Sequence, residues 1–416
     1  MREGAGRTEA STPVLPDFPN IRHLRAFSAA ARLKSVNRAA REVHLSQPAL
    51  TQAIAKLESE VGAPLFLRRS TGVYPTRIGE ILQRRVDRAL EQLVRAAAAM
   101  RRGPQDEKWA PPVERNLTAT QVRALIAVAD AGSYTLAART LGVAQPSLHR
   151  AARDLERLVG RPLFERAGHG VVATRDGAEL ARMFKLAAHE IDQAREEIRD
   201  EQGTVAARIA VGSMPLARTY IVPRAVATLL ERYPDSRVRI ADASYEPLLA
   251  QLRSGTIDVM VGALRQPPPV EDVVEAALFS EPLSVVVRKG HALAAARKPS
   301  FEMLARQRWV LPAAGTPTRQ HFERIFAEKG LKAPEPAVEA SSLIAVRGLL
   351  LENDMATLIS RHQVRYEESA GLLEAVKLEL GDTARPIGIS TRANWAPTRL
   401  QGEFIAILRE VCRARD

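Results

Sequence analysis

Ser35-Val36-Asn37-Arg38-Ala39-Ala40-Arg41, then Gln47-Pro48-Ala49-Leu50, Leu57-Glu58 and Val61-Gly62-Ala63-Pro64-Leu65-Phe66, is the run from which the fold is read, because the chain contains it twice. The second copy reads Ser133, Ala137-Ala138-Arg139, Gln145-Pro146-Ser147-Leu148, Leu155-Glu156 and Val159-Gly160-Arg161-Pro162-Leu163-Phe164. Between 24–82 and 122–180 the copies match at 26 of 59 positions, without a gap, at an offset of 98 residues. Chance does not produce such a match, so the N-terminal half is a duplicated structural unit.

Each copy has the marks of a short helix, a tight turn and a second helix. Ser35 and Ser133 are placed to cap the first, and the alanine pairs Ala39-Ala40 and Ala137-Ala138 are small enough for the next helix to cross closely. Pro48 and Pro146 fall in the first turn of that next helix, where the missing N–H costs nothing; Ser46 precedes it in one copy and Ala144 in the other. Leu50, Ile54 and Leu57, and Leu148, Ala152 and Leu155, recur at helical spacing and predict the buried face. Ala49, Thr51, Gln52 and Lys56 then fall on the outer face. Beyond each helix a strand starts at the Val-Gly-x-Pro-Leu-Phe run, and a turn at Gly72 or Gly170 returns a second strand ending in Thr76-Arg77 or Thr174-Arg175, a hairpin wing. Long amphipathic helices follow over 77–102 and 175–200. Ile78, Ile81, Leu82, Val86, Leu90, Leu93 and Val94 stripe the first, and Leu180, Phe184, Ala187, Ala188, Ile191 and Ile198 the second; each stripe requires a partner.

With 416 residues, 46% hydrophobic and 26% charged, the chain has the composition of a folded protein of several domains. Its net charge of +12 is concentrated: 20–77 carries ten Lys and Arg against three acids, and 117–175 eight against four. A compact basic segment favours a phosphate backbone as partner, although an arginine-rich composition by itself would not single out nucleic acid. The one cysteine, Cys412, can make no internal disulfide and belongs to no zinc cluster, so a reducing cytoplasm is the expected location. Neither an export signal at 1–20 nor an apolar run of the ~18 residues needed for a membrane span is present. A Gly-x-Ser-x-Gly elbow, a phosphate-cradling glycine loop and a His/Asp/Glu cluster are also missing, so no catalytic residue, metal or cofactor is expected and the chain is not read as an enzyme.

Ser-x-x-x-Ala-Ala, Gln-Pro-x-Leu, Leu-Glu, Gly-x-Pro-Leu-Phe-x-Arg and Thr-x-x-Gly together resemble the winged helix-turn-helix of LysR-type transcriptional regulators, in both copies. The resemblance implies double-stranded promoter DNA as partner, contacts from Gln47, Pro48, Ala49, Thr51, Gln52 and Lys56, and phosphate contacts from Arg68 and Arg69 in the wing. The corresponding positions in the second copy are Gln145, Pro146, Ser147, His149, Arg150 and Arg153, with Arg166 in its wing. His149 stands where the first copy has Thr51, and is read as a surface histidine near phosphate; contact by both copies is favoured over a purely structural second copy. The family pairs its long helices between protomers, which implies a homodimer or homotetramer, and here the two could also pair within one chain. RNA polymerase is a further candidate contact.

From about 205 onward short apolar strands alternate with helices: strands at 208–213, 238–244 and 258–262 with helices at 217–232 and 246–253, then strands near 308–312, 337–341, 356–359 and 386–391 and a helix at 398–413. The alternation predicts parallel α/β layers, with ligands at strand-to-helix junctions. This half is similar to the family's effector domain, two lobes with a small molecule between them, including Arg288–Ala294 at an expected lobe crossing. Ser213, Met214, Gly262, Thr316 and Thr318 are the expected effector contacts, with Arg319 as anchor for a carboxylate or hydroxyl-rich ligand; Ser341-Ser342 marks a further junction. The expected organisation is a flexible N-terminus (1–19), a first winged helix-turn-helix (20–77), a linker helix (78–102), a linker (103–116), a second winged helix-turn-helix (117–175), a second linker helix (176–203) and a two-lobed α/β effector domain resembling periplasmic binding proteins (204–416). A solute-binding protein of the cell envelope and an enzyme are the rival readings, and neither explains the duplication.

Overall fold

The computed structural model describes residues 18–100, 113–168, 170–203 and 207–414. Most of the expected N-terminal tail and of the 103–116 linker therefore lies outside the described residues. The chain forms two compact units that divide between Ala207 and Arg208.

In the first unit, module 1 comprises α1 (Ile21–Leu33), α2 (Val36–Glu42), α3 (Gln47–Val61) and the antiparallel hairpin β1 (Phe66–Arg69) and β2 (Gly72–Pro75), and leads into α4 (Arg77–Ala99). After the single turn α5 (Val113–Asn116), module 2 repeats the order with α6 (Ala119–Ala131), α7 (Tyr134–Leu141), α8 (Gln145–Val159), β3 (Phe164–Ala167) and β4 (Gly170–Ala173), and leads into α9 (Arg175–Glu201). Ser35, Ser46 and Ser133 accept from Arg38 N, Ala49 N and Leu136 N and so cap α2, α3 and α7, whereas Ala144 gives α8 no side-chain cap. The alanine pairs are buried at both crossings.

Several of the duplicated residues hold the wing. Glu58 Oε1 accepts from Leu65 N at 2.8 Å and Glu156 Oε1 from Leu163 N at 2.9 Å. Thr76 donates to the Pro64 carbonyl while its hydroxyl oxygen accepts from Gly79 N, and Thr174 does the same with Pro162 and Gly177. A Cβ on Gly79 would lie 2.2 Å from the Leu65 carbonyl oxygen, and one on Gly177 2.0 Å from that of Leu163, so the long helix and the wing approach too closely for any side chain.

The stripes of α4 and α9 find each other. The helices run antiparallel: along α4, Arg77 meets Glu201, Arg84 and Arg85 meet Glu197, and Arg88 meets Glu190. One core of buried side chains, including Leu82, Val86 and Leu93 from α4 and Leu180, Phe184 and Ile191 from α9, runs through the pair and into both modules.

The second unit contains two five-stranded sheets. The first lobe has β5 (Arg208–Ser213), α10 (Ile221–Arg232), β6 (Arg237–Asp242), α11 (Tyr245–Arg253), β7 (Val259–Ala263) and β8 (Val273–Glu281). The chain then crosses to β9 (Ser284–Arg288), α12 (Ala292–Ala295), α13 (Phe301–Ala305), β10 (Arg308–Leu311), α14 (Pro317–Ala327), β11 (Val338–Glu339), α15 (Leu343–Glu352), β12 (Met355–Ile359), a 3-10 turn at Arg361–Val364, α16 (Arg365–Ser369) and β13 (Leu373–Ala375). It returns as β14 (Arg385–Arg392) and ends in α17 (Arg399–Arg413). The sheet orders are β6-β5-β7-β14-β8 and β11-β10-β12-β9-β13.

Parallel pairing, as the alternation predicts, holds for β5 with β6 and β7, and for β10 with β11 and β12; β8, β9, β13 and β14 add antiparallel pairs, so both sheets are mixed. The reason lies in the crossings, because a strand arriving from the other lobe enters its sheet from the opposite end. The crossings are at 281–284 and 383–385, tied by Leu283 N donating to Thr383 Oγ1, rather than at Arg288–Ala294: Arg288 ends β9, paired opposite Leu373 and bonded to Asp354.

Candidate functional site

Both second helices turn their apolar residues inward and their polar residues out. On α3, Leu50, Ala53, Ile54 and Leu57 are buried, Gln47, Pro48, Gln52 and Lys56 are exposed, and Ala49 and Thr51 are half-buried. On α8, Leu148, Ala151, Ala152 and Leu155 are buried while Gln145, Pro146, Ser147, His149, Arg150 and Arg153 are exposed. Arg68 and Arg69 on β1 and Arg166 on β3 are also exposed, which sets each wing's cations beside its outward-facing helix. Each module thus offers a convex polar helix with a basic hairpin next to it, a shape suited to a groove bordered by phosphates.

The two copies differ in detail. In module 1 the Tyr74 ring lies under two cations, with Lys34 Nζ 5.6 Å and the Arg69 guanidinium 5.4 Å from its centroid, so the wing's base is already charged and ordered. In module 2 His149 packs against Tyr134, ring centroids 5.0 Å apart, and Gln145 accepts from the Thr135 hydroxyl at 3.2 Å. Arg153 bonds Glu156 at 3.2 Å, while Arg150 makes no ion pair among the described residues. Gln145, Pro146, His149, Arg150, Arg153, Asp154 and Arg157 border an open groove of about 680 Å³.

In the second unit, the expected effector residues separate. Ser213 is fully buried and its hydroxyl has no hydrogen-bond partner, an orphan group at the end of β5. Met214 is buried against Gly262, where a Cβ would come within 2.4 Å of the Met214 Cβ; these two residues pack on each other. Thr316 donates to the Ala313 carbonyl at 2.8 Å and closes the turn before α14. Arg319 is 6% exposed and faces Glu323 at 2.8 Å, Glu335 at 3.3 Å and Glu339 at 3.9 Å, so carboxylates of the chain itself surround it, while its Nη1 is buried without a hydrogen bond.

A second arginine, Arg385 at the start of β14 beside the return crossing, donates to Thr318 Oγ1 at 3.5 Å and keeps a buried Nε without a partner. Burial lowers its pKa from the ordinary arginine value, with the Glu281 carboxylate acting the other way. Close by in the crossings, Ser360 donates to Glu281 at 2.6 Å, His362 Nε2 lies 3.4 Å from the same carboxylate, and Thr219 donates to the His362 carbonyl across the lobes at 3.2 Å. Arg385, Glu281, Ser360, His362 and Thr219 carry no local sequence signal; only the crossings bring them together. Among the described residues no group of three or more His, Cys, Asp or Glu could hold a metal, and no helix is long and apolar enough to cross a membrane.

Comparison with known proteins assigns both units. Residues 21–80 and 119–178 each match the family described as bacterial regulatory helix-turn-helix protein, lysR family, and 202–413 match the LysR substrate binding domain. The chain is 32% identical over 395 residues to the HTH-type transcriptional regulator GalR of Pseudomonas putida, covering 95% of this chain and 98% of that one. It is 28% identical over 298 residues to the regulator PcaQ of Agrobacterium fabrum, covering 72% and 96%. In fold it is similar to a full-length OxyR variant from Pseudomonas aeruginosa, with a TM-score of 0.54 and 23% identity over 71% of this chain and 95% of that one. CbnR, solved in complex with its target DNA, gives a TM-score of 0.50 and 19% identity over 70% and 98%.

Proposed function

The chain belongs to the LysR family of transcriptional regulators, DNA-binding proteins with an effector-binding domain, and from that premise we propose which of its residues read DNA and which meet the effector. Both modules grip DNA. Gln47, Pro48, Ala49, Thr51, Gln52 and Lys56 on α3, and Gln145, Pro146, Ser147, His149, Arg150 and Arg153 on α8, enter major grooves, and Arg68, Arg69 and Arg166 neutralise flanking phosphates. The observation that carries this reading is the exposure of the same face in both copies beside a basic wing. The effector is a small anion met by Arg385 at the crossing, with Thr318 beside it, and by Ser213 at the end of β5, because Arg385 and Ser213 each keep a buried polar atom without a partner. The protein works in the cytoplasm, assembles further into a homodimer or homotetramer, and contacts RNA polymerase. Ligand closure of the lobes changes how the DNA-reading heads are presented.

The test is a gel shift of the full-length protein on its own upstream DNA, comparing Thr51→Asp and Arg150→Asp. Each adds a carboxylate facing phosphate and is expected to abolish the shift. Loss in the Thr51 variant alone would leave module 2 a structural copy.

A further inference from the structure

The ion pairs between α4 and α9 are not duplicated with the rest of the repeat. Arg85 is 2% exposed; its Nη1 donates to Glu190 at 2.8 Å and its Nε to Glu197 at 3.0 Å, while Arg88 reaches Glu190 at 2.9 Å and Arg84 reaches Glu197 at 2.5 Å. Under the 98-residue offset, the α4 positions corresponding to Glu190 and Glu197 are Gln92 and Ala99, and the α9 positions corresponding to Arg85 and Arg88 are Met183 and Leu186. An antiparallel α4–α4 pair between two chains would therefore set two buried Arg85 side chains against Gln92 and Ala99. An α9–α9 pair would set Glu190 and Glu197 against Met183 and Leu186. Both leave charge buried without a counter-charge, which is strongly unfavourable, so only the mixed pair is electrostatically matched. The 23-residue α4 is roughly 34 Å long, about the rise of one turn of B-DNA, and antiparallel pairing puts the two wing-to-helix junctions at opposite ends of the pair.

The faces presented at those two ends are unlike. Where α3 offers Thr51, Gln52 and Ala55, α8 offers His149, Arg150 and Arg153. Arginine pairs bidentately with guanine O6 and N7, while glutamine suits adenine N6 and N7. We propose that α4 and α9 make each chain a self-paired, two-headed reader of a composite operator whose neighbouring half-sites differ, with guanines in the half read by Arg150 and Arg153. The proposal rests on the reading that both modules contact DNA.

Selection of binding sites from random duplexes by the full-length protein, repeated with Arg150→Ala and Arg153→Ala, tests it. The expected result is two unlike half-sites about one helical turn apart, with about tenfold or greater guanine preference in one of them that each variant erases there and nowhere else. Neighbouring half-sites that are inverted copies of each other would overturn the proposal while leaving both modules on DNA. Recovery of one half-site only, with the variants binding as wild type, would overturn the two-module reading and the proposal together. Self-pairing is checked separately by bridging Arg77→Cys and Glu201→Cys with a short bismaleimide in the Cys412→Ser background without DNA. A one-chain band whose digest contains the bridged peptide pair of residues 77 and 201 supports it, and a two-chain band overturns it.

Discussion

Arg85 of α4 and Glu190 of α9 form a 2.8 Å ion pair inside the helix pair, and Glu197 takes the other edge of the same guanidinium. Burial opposes the arginine's charge, yet the bonds to Glu197 and Glu190 leave its pKa above the ordinary value. Removing one side of such a cluster strands the other. Arg85→Met is therefore expected to destabilise the N-terminal unit by about 3 kcal/mol, read from urea unfolding. Adding Glu190→Gln and Glu197→Gln should recover most of the loss. An Arg85→Met variant as stable as wild type would show that Arg84 and Arg88 suffice.

Ala144 is the one place where the capping pattern of the two recognition helices differs. Ser46→Ala should cost about 1 kcal/mol, and Ala144→Ser should stabilise module 2 by a similar amount, since the backbone at Ala144 already has the extended geometry of a cap. Thermal unfolding of the two variants measures both. A fall in stability for Ala144→Ser would mean that the hydroxyl cannot reach Ser147 N.

Gly177→Ala places a methyl 2.0 Å from the Leu163 carbonyl oxygen, and the backbone there has no flexible end to yield. The wing must shift against α9, at an expected cost of about 1–3 kcal/mol. DNA affinity should fall with it, because Arg166 moves with the hairpin. Binding isotherms and denaturation curves on one preparation would separate the two effects.

Ser213→Ala, at the end of β5, and Arg385→Ala, at the lobe junction, should each weaken binding of a small carboxylate by about 10- to 100-fold, the range for hydrogen bonds to charged groups. Ligand-free DNA binding should stay unchanged. A carboxylate panel screened by thermal shift against the wild type finds the ligand, and titration calorimetry of the variants measures the loss. Equal affinity in Arg385→Ala would remove this residue from the site.

His291 is 2% exposed and caps α12 by accepting from Leu293 N through Nδ1, a bond that needs the neutral ring. Burial lowers its pKa below 6.5, with Arg288 acting in the same direction and Asp354 against it. The unfolded chain then takes up this proton before the folded one, so the stability contributed is present above about pH 6.5 and lost as pH falls through the folded pKa. His291→Asn keeps a cap without a titrating group. Its melting temperature should fall less than wild type's between pH 7.5 and pH 5.5, and an unchanged fall would assign the pH response to other groups.

Much of the first unit was legible because each signal was local and appeared twice: Ser35 and Ser133 cap, Leu50 and Leu148 point inward, and Gly72 and Gly170 open the return strands of the wings. The choice of partner for the long helices was not legible, since Arg85 reads in sequence as one more surface arginine and only the antiparallel register sets it against Glu190 and Glu197. In the second unit, Arg319 drew attention by standing at a strand-to-helix junction. Glu323, one turn further on the same helix, was the local sign that a carboxylate of the chain itself pairs with it. Arg385 had no such sign, because its place beside Thr318 depends on a return crossing from the other lobe.

The pairing of α4 with α9 inside one chain also bears on dose. Two heads joined through a protomer interface come apart on dilution, so their readiness to bind rises steeply with protein concentration. Two heads joined along a single chain do not: the second engages DNA at an effective concentration fixed by the tether, however scarce the protein is. In a cell holding a handful of copies the two heads of each chain would then stay ready together, and only the further assembly of chains would depend on copy number.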